Sequence, residues 1–142
     1  AVFGVGLLPT DSEKQKRIAA PKALMSVTEI DLVLKVFDKG MKEEKWFKNP
    51  SISLRELAEK VNISGNKLSW LLNERMGQNF NEYINSFRVE NFKENALNPA
   101  NSHLTLLALA YESGFNSKTV FNSFFKKIEG TTPKAWLRAN QN

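Results

Sequence analysis

The sequence predicts an all-α fold made of two copies of one helical unit. Apolar residues recur at helical spacing along most of the chain, and no stretch sustains the alternation that is typical of a β-strand. A pattern of apolar, small and glycine residues begins at Leu57 and begins again at Leu109. Because self-similarity over this length is typical of a duplicated supersecondary unit, we expect both copies to fold alike.

The composition excludes several kinds of site. The chain has no Cys and a single His, which rules out disulfides, thiolate metal sites and Cys nucleophiles and is compatible with a reducing cytosol. His103 has no second His near it in the sequence, so we predict no metal site and no cofactor. No nucleophile–base pair or phosphate-binding glycine loop is present. We therefore predict a cytoplasmic protein that is not an enzyme, with no catalytic residues.

The charge distribution favours a polyanionic partner. The net charge is +5 and the isoelectric point is near 9.5. Residues 98–142 carry five basic and two acidic side chains, whereas residues 51–97 carry six of each. A polyanion should therefore bind the second copy more strongly than the first.

The first 25 residues are predicted to be a flexible linker or the remnant of an upstream region. Residues 1–25 contain Pro9, Pro21 and a charged patch, and they lack sustained periodicity. The chain also begins with Ala rather than Met. We therefore expect it to be the C-terminal piece of a longer protein.

An amphipathic lead-in helix is predicted over residues 26–48. Ser26 and Glu29 have the form of a capping box. One helical face then carries an apolar stripe of Ile30, Val33, Leu34, Phe37 and Met41. Two interpretations stay open, because this stripe can pack on the domain that follows or form a homodimer seam over residues 28–45.

The first unit, about residues 51–80, is predicted as two short helices joined by a turn. A capping box at Ser53 opens the first helix, and Ser64 caps the second. Gly77 ends that second helix, as glycine commonly does. The inward positions of the second helix are Leu68, Leu71 and Leu72.

A linker helix and a second unit complete the chain. The linker helix is predicted over about residues 81–97, and at 1.5 Å per residue it reaches about 25 Å. The second unit, about residues 104–138, repeats the first, with Ser117 as cap, Gly130 as stop and Pro133 opening a last short helix. It has one extra residue in its turn.

The arrangement inside each unit is that of a helix-turn-helix. The first helix braces the second, whose outward face can then enter the major groove of DNA. Small and apolar residues stand where the helices would cross, Leu57-Ala58 in the first copy and Leu109-Ala110 in the second. The outward faces are polar, which indicates double-stranded DNA as the partner. The alternative is a protein-interaction module that uses the same faces.

Long, gapped motifs in both copies carry a family resemblance. In the second copy they are Gly114-Phe115-Asn116-Ser117, Phe121, Phe124-Phe125-Lys126-Lys127, Gly130, Thr132-Pro133 and Arg138. In the first copy they include Leu57-Ala58, Ile63-Ser64, Leu68-Ser69, Gly77 and Phe80. With these motifs, residues 51–138 resemble the double helix-turn-helix DNA-binding domain of the AraC/XylS-type bacterial transcription regulators.

The resemblance implies a mode of binding and a set of partners. Two recognition helices would lie in successive major grooves on one DNA face, about 34 Å apart. The implied partners are double-stranded DNA, RNA polymerase and an upstream sensor domain of the same protein. The location would be the cytoplasm, or the cytosolic end of a membrane-anchored regulator.

The resemblance also implies which residues would contact DNA. The base-facing positions are Asn66, Ser69, Trp70, Lys118, Thr119, Asn122 and Ser123. The phosphate-contacting positions are Ser64, Lys67, Asn73, Ser117, Lys126 and Lys127.

Two positions carry a second interpretation. Trp70 would contact a thymine methyl group, or it would pack back onto its helix or against a partner domain. Arg88 on the linker helix is expected to have a structural role rather than to contact DNA.

Overall fold

The computed structural model describes residues 23–141, and every regular element in that range is helical. This confirms the predicted all-α class. The predicted linker lies outside the described residues except for its last three positions. Seven α-helices follow in chain order: α1 Val27–Lys39, α2 Leu54–Lys60, α3 Gly65–Met76, α4 Phe80–Leu97, α5 Leu106–Glu112, α6 Lys118–Glu129 and α7 Pro133–Asn140.

Polar side chains start these helices where the sequence predicts them. Ser64 Oγ accepts a hydrogen bond from Lys67 N at 3.1 Å, and Ser117 Oγ accepts one from Val120 N at 3.2 Å. Each bond satisfies a backbone donor that has no partner inside its helix. Ser26 Oγ does the same for Glu29 N. The Glu29 carboxylate pairs with Lys67 instead of completing the predicted capping box.

The lead-in segment is not the single helix predicted over residues 26–48. Helix α1 ends at Lys39, a π-helical turn covers Gly40–Glu44, and a 3₁₀ turn covers Trp46–Lys48. Lys45 between them adopts a left-handed backbone conformation with φ 53°. The change of chain direction at Lys45 brings the Trp46 ring against Gly40, in the space that a Cβ atom of residue 40 would occupy.

Replacing Gly40 with Ala should therefore destabilise the fold. The new methyl group would lie far inside van der Waals contact with the Trp46 indole, so the ring or the turn must move. Overpacking of this kind costs about 1–3 kcal/mol, which urea unfolding monitored by circular dichroism would measure. Gly65→Ala is the control, because nothing lies within 4 Å of its Cβ position. Equal stability of the two variants would contradict the prediction.

The apolar stripe of α1 is part of the first of two cores. Ile30, Val33 and Phe37 are buried together with residues from α2, α3 and the start of α4. We call this set the N-terminal core: Met25, Ile30, Val33, Phe37, Met41, Phe47, Ile52, Leu57, Ala58, Leu68, Leu71, Leu72, Tyr83 and Ile84. The stripe thus packs on the unit that follows it. The predicted boundary near residue 51, between the lead-in helix and the first unit, therefore divides residues of one core.

The second core is rich in phenylalanine. We call it the C-terminal core: Val89, Phe92, Leu109, Ala110, Phe115, Phe121 and Phe125. The Phe92 and Phe121 ring centroids are 4.8 Å apart, a favourable distance for tilted aromatic pairs. Helix α4 contributes to both cores, with Tyr83 and Ile84 in one and Val89 and Phe92 in the other.

Arg88 on α4 has the structural role that was expected. It is buried, and its guanidinium donates to Phe47 O at 2.7 Å, Asn85 Oδ1 at 2.9 Å and Asn49 O at 2.9 Å. Burial lowers the pKa of Arg88 to about 10. A second buried contact joins α4 to the other unit, since Asn91 Nδ2 donates to Ser113 Oγ at 3.0 Å.

None of the helices in the described part of the chain is long and apolar enough to cross a membrane.

Candidate nucleic-acid interface

The two helix-turn-helix units are built with the same backbone hydrogen bond. In the first, Ile63 N donates to Ala58 O at 3.1 Å, and in the second, Phe115 N donates to Ala110 O at 3.2 Å. The extra residue of the second copy, Asn116, is exposed and follows this bond. The two turns therefore close with the same bond, and α3 and α6 follow them at corresponding positions of the repeat.

The outward face of α6 carries six of the seven predicted residues of the second copy, and the seventh, Ser117, precedes the helix. Phe121 and Phe125 point into the C-terminal core, which turns the polar side chains between them outward. Six are exposed to solvent: Lys118, Thr119, Asn122, Ser123, Lys126 and Lys127. Ser117 is half-buried, as its hydroxyl caps the helix. This face presents hydrogen-bonding groups and three lysines on one surface.

The outward face of α3 is less open. Asn66 and Asn73 are exposed, whereas Ser69 is half-buried and its Oγ accepts from Asn73 Nδ2 at 3.4 Å. Lys67 Nζ lies 3.0 Å from Glu29 Oε2 of α1, with 38% and 35% of the two side chains exposed. The only lysine predicted on this face is thus engaged by a carboxylate of the lead-in helix. Ser64 remains exposed at the helix start.

Trp70 differs from the other predicted base contacts. Its indole is half-buried and packs against the N-terminal core. Its Nε1 atom is buried and has no hydrogen-bond partner among the described residues. The apolar area of an indole explains this placement on an otherwise polar face. The burial favours the packing interpretation of Trp70, and its contact with a base stays a prediction.

Val120 is a candidate contact that the sequence reasoning did not name. It lies on α6 and is 47% exposed. Its spacing of three residues from Ser123 and seven from Lys127 places it on the same outward face, a signal present in the sequence. An exposed apolar side chain on a recognition helix can contact a thymine methyl group.

An ion pair links the end of α6 to the start of α4. Lys127 Nζ lies 3.0 Å from Glu82 Oε2, and Glu82 also accepts a hydrogen bond from Asn79 N at 2.9 Å. The Asn79 backbone bond, followed by the Lys127 contact, lowers the pKa of Glu82 below its ordinary value of 4.5. The carboxylate therefore both caps α4 and holds one of the lysines of the interface.

This pKa shift predicts a contribution to stability that depends on pH. Because the pKa is lower in the folded state, the contribution is present above pH 4.5 and is lost as the pH falls through the folded-state value. Glu82→Gln should therefore show a smaller drop in urea midpoint between pH 6 and about pH 3 than the parent chain. Glu94→Gln, on an exposed position of the same helix, is the control. An unchanged pH dependence in Glu82→Gln would contradict the prediction.

A family model and several curated relatives match the part of the sequence that forms these two units. The model described as a helix-turn-helix domain matches residues 57–139, more than half of the chain. HTH-type transcriptional regulators of Staphylococcus aureus strains COL and N315 are each 33% identical over 85 residues. The match covers 60% of this chain, and the chain spans only 11% of the length of these relatives.

Solved structures of other proteins share the fold over most of the length of this chain. The C-terminal domain of the two-component response regulator yesN from Fusobacterium nucleatum is 25% identical, with a TM-score of 0.59 over 75% of this chain and 95% of that one. The C-terminal domain of AraT, a response regulator from Geobacillus stearothermophilus, is 22% identical, with a TM-score of 0.62 over 84% and 90%. The chain belongs to the AraC-type helix-turn-helix family of DNA-binding transcription regulators.

Proposed function

We propose that this chain binds double-stranded DNA at specific sequences and regulates transcription, with α3 and α6 in successive major grooves. The observation that carries the proposal is the pair of equivalent outward helix faces, each braced by a buried helix crossing. The family membership supports the same function. Since both polar faces belong to one chain, a monomer would contact about two turns of DNA.

The two faces would contribute unequally to binding. The α6 face offers Asn122 for a bidentate bond with adenine and Lys118 for guanine, with Lys126 beside them for phosphate. The α3 face offers Asn66 and Ser69, and its lysine is paired with Glu29. We therefore propose that the second unit supplies most of the affinity.

Partners beyond DNA follow from the family and the size of the relatives. Because the chain spans 11% of the matched regulators, a sensor domain elsewhere in the same protein fits the proposal. RNA polymerase as a partner and the cytoplasm as location are proposed from the regulation of transcription itself. A homodimer seam over residues 28–45 is disfavoured. Its apolar stripe packs into the N-terminal core, so the exposed large aliphatic residues within 28–45 are Leu32 and Val36, and two side chains are too few for the roughly 800 Å² per partner of a stable interface.

The salt dependence of DNA binding tests the proposal. A duplex selected from random sequences should bind with an affinity that falls steeply as salt rises, because the protein releases counterions from the phosphates. Three lysines at phosphate positions predict a slope of log K against log salt of about −3, measured by fluorescence anisotropy. Salt-insensitive binding to a protein, with no DNA shift at low salt, would instead support the interaction module.

A further inference from the structure

We propose that Arg88 is a positioning residue that fixes the two recognition helices relative to each other, and so sets the spacing of half-sites that the protein accepts. The proposal rests on the DNA-binding function above. Arg88 does not lie on either outward face. It acts from the junction between the two cores, near the middle of α4.

Three segments of the chain meet on the Arg88 guanidinium. It donates to the carbonyl oxygens of Phe47 and Asn49, which flank the end of the 3₁₀ turn, and to Asn85 Oδ1 on its own helix. Its Cζ atom also lies 5.8 Å from the centre of the Phe115 ring. Phe47 belongs to the N-terminal core and Phe115 to the C-terminal core. One side chain thus contacts both cores directly.

The guanidinium is held by geometry rather than by an opposite charge. Its three hydrogen-bond acceptors among residues 23–141 are neutral oxygens. A planar fork with fixed donor directions fits three such acceptors, whereas a lysine ammonium offers a single point of charge on a flexible chain. Removing the fork would leave the Phe47 carbonyl, in a buried residue, without this donor.

Backbone contact at Gly114 reinforces the same junction. A Cβ atom at Gly114 would lie inside contact distance of Phe47 O and 2.7 Å from Arg88 Nε. The turn of the second unit therefore rests on the 3₁₀ turn that precedes the first unit. Two described ion pairs join α4 to α6. Lys127 with Glu82 is solvent-exposed, and exposed pairs stabilise little. Lys93 with Glu129, 3.0 Å apart and mostly buried, joins α6 to the second half of α4, which already packs in the C-terminal core. Arg88 is the polar side chain that contacts both cores.

This restraint has a consequence on DNA. One base pair added between two half-sites moves the second one about 3.4 Å along the axis and rotates it by about a tenth of a turn. A rigid pair of recognition helices can bind such a site only if the DNA deforms, which costs free energy. If the junction between the two units is loosened, the recognition helices can shift to match the altered spacing without deforming the DNA. Arg88 should therefore sharpen the spacing preference.

A distance measurement tests the junction without DNA. The chain has no native Cys, so Arg75→Cys and Ile128→Cys, at equivalent positions of α3 and α6, can carry a unique pair of spin labels. Double electron–electron resonance should give a narrow distance distribution, which Arg88→Met and Arg88→Lys broaden. Arg55→Met, on an exposed side chain of α2, should leave the distribution narrow. An equally narrow distribution in Arg88→Met would overturn the proposal.

Binding to duplexes of altered spacing tests the consequence. The parent chain should prefer the selected spacing about tenfold over sites one base pair longer or shorter, and Arg88→Met should reduce this ratio below about threefold. Binding to a duplex with only the half-site of the second unit should change less than twofold. Equal loss at every spacing and on the single half-site would overturn the proposal.

Two further measurements keep the test decisive. Circular dichroism and thermal unfolding establish that each variant is folded. If Arg88→Met does not fold, Asn85→Ala removes one acceptor of the guanidinium and keeps the charge, so the same broadening is expected in milder form. If no duplex binds at all, the proposed function fails, while the distance distribution still decides the role of Arg88.

Discussion

Replacing Gly114 with Ala should cause the largest loss of stability of any single methyl addition at a glycine in the described chain. Gly114 has φ +112°, a conformation that L residues rarely adopt, and its Cβ position is blocked by the backbone carbonyl of Phe47 and by Arg88 Nε. Backbone strain costs about 1–3 kcal/mol and overpacking about as much again. Because a carbonyl cannot rotate away as a side chain does, we expect a loss in the free energy of unfolding of roughly 2–6 kcal/mol.

Two other glycines separate the causes of this loss. Gly77 also has a positive φ, +63°, but nothing lies within 4 Å of its Cβ position, so Gly77→Ala measures strain alone, about 1–2 kcal/mol. Gly65→Ala lies at the start of α3 in open space and should be neutral or stabilise by about 0.5–1 kcal/mol. Urea unfolding of the three variants would rank them. If Gly114→Ala lowers the free energy of unfolding no more than Gly77→Ala, the contact of Gly114 with Phe47 and Arg88 rearranges at little cost.

Replacing Asn122 with Ala should cost sequence-specific affinity. Asn122 is exposed on α6, and an asparagine that pairs with adenine contributes about 1–3 kcal/mol of discrimination against the wrong base. Asn122→Ala should therefore relax the preference at one position of the site, measured by repeating the selection from random duplexes. Ser69→Ala, at the equivalent position of α3, is the matched control and should cost less, since Ser69 is half-buried. If Asn122→Ala lowers the affinity equally for every DNA sequence, Asn122 does not contact a base specifically.

Lys126→Ala should show the opposite signature. A phosphate contact positions the protein without reading bases, so its loss weakens binding to all sequences alike and reduces the salt slope by about 1. Asn73→Ala, at the equivalent position of α3, removes no charge and should leave the salt slope unchanged. A change in base preference in Lys126→Ala would contradict this role.

Helix positions could be predicted because their determinants are local. Ser53, Ser64 and Ser117 cap helices within three residues of themselves, and Gly77 and Gly130 end helices through their own backbone conformation. The lead-in segment was the exception. The turn after Lys39 depends on the Trp46 ring packing against Gly40, and helical periodicity does not report such a contact.

The outward faces were also predictable, but their internal partners were not. Periodicity identifies which side chains of α6 leave the core. It does not reveal that Lys67 meets Glu29, 38 residues away, or that Lys127 meets Glu82, 45 residues away. These pairs depend on the tertiary arrangement of α1 and α4. The half-buried position of Trp70 has the same origin, because the N-terminal core extends to that side of α3.

Helix α4 prevents the duplicated units from existing as separate modules. Its first half closes the N-terminal core with Tyr83 and Ile84, and its second half closes the other core with Val89 and Phe92. A chimaera joined at either end of α4 would pack one of the two cores against an α4 from a different protein. The end of a repeat in the sequence is therefore not the end of an independently folded unit. An exchange of one unit between relatives has to transfer the whole of α4 together with the residues that pack against it.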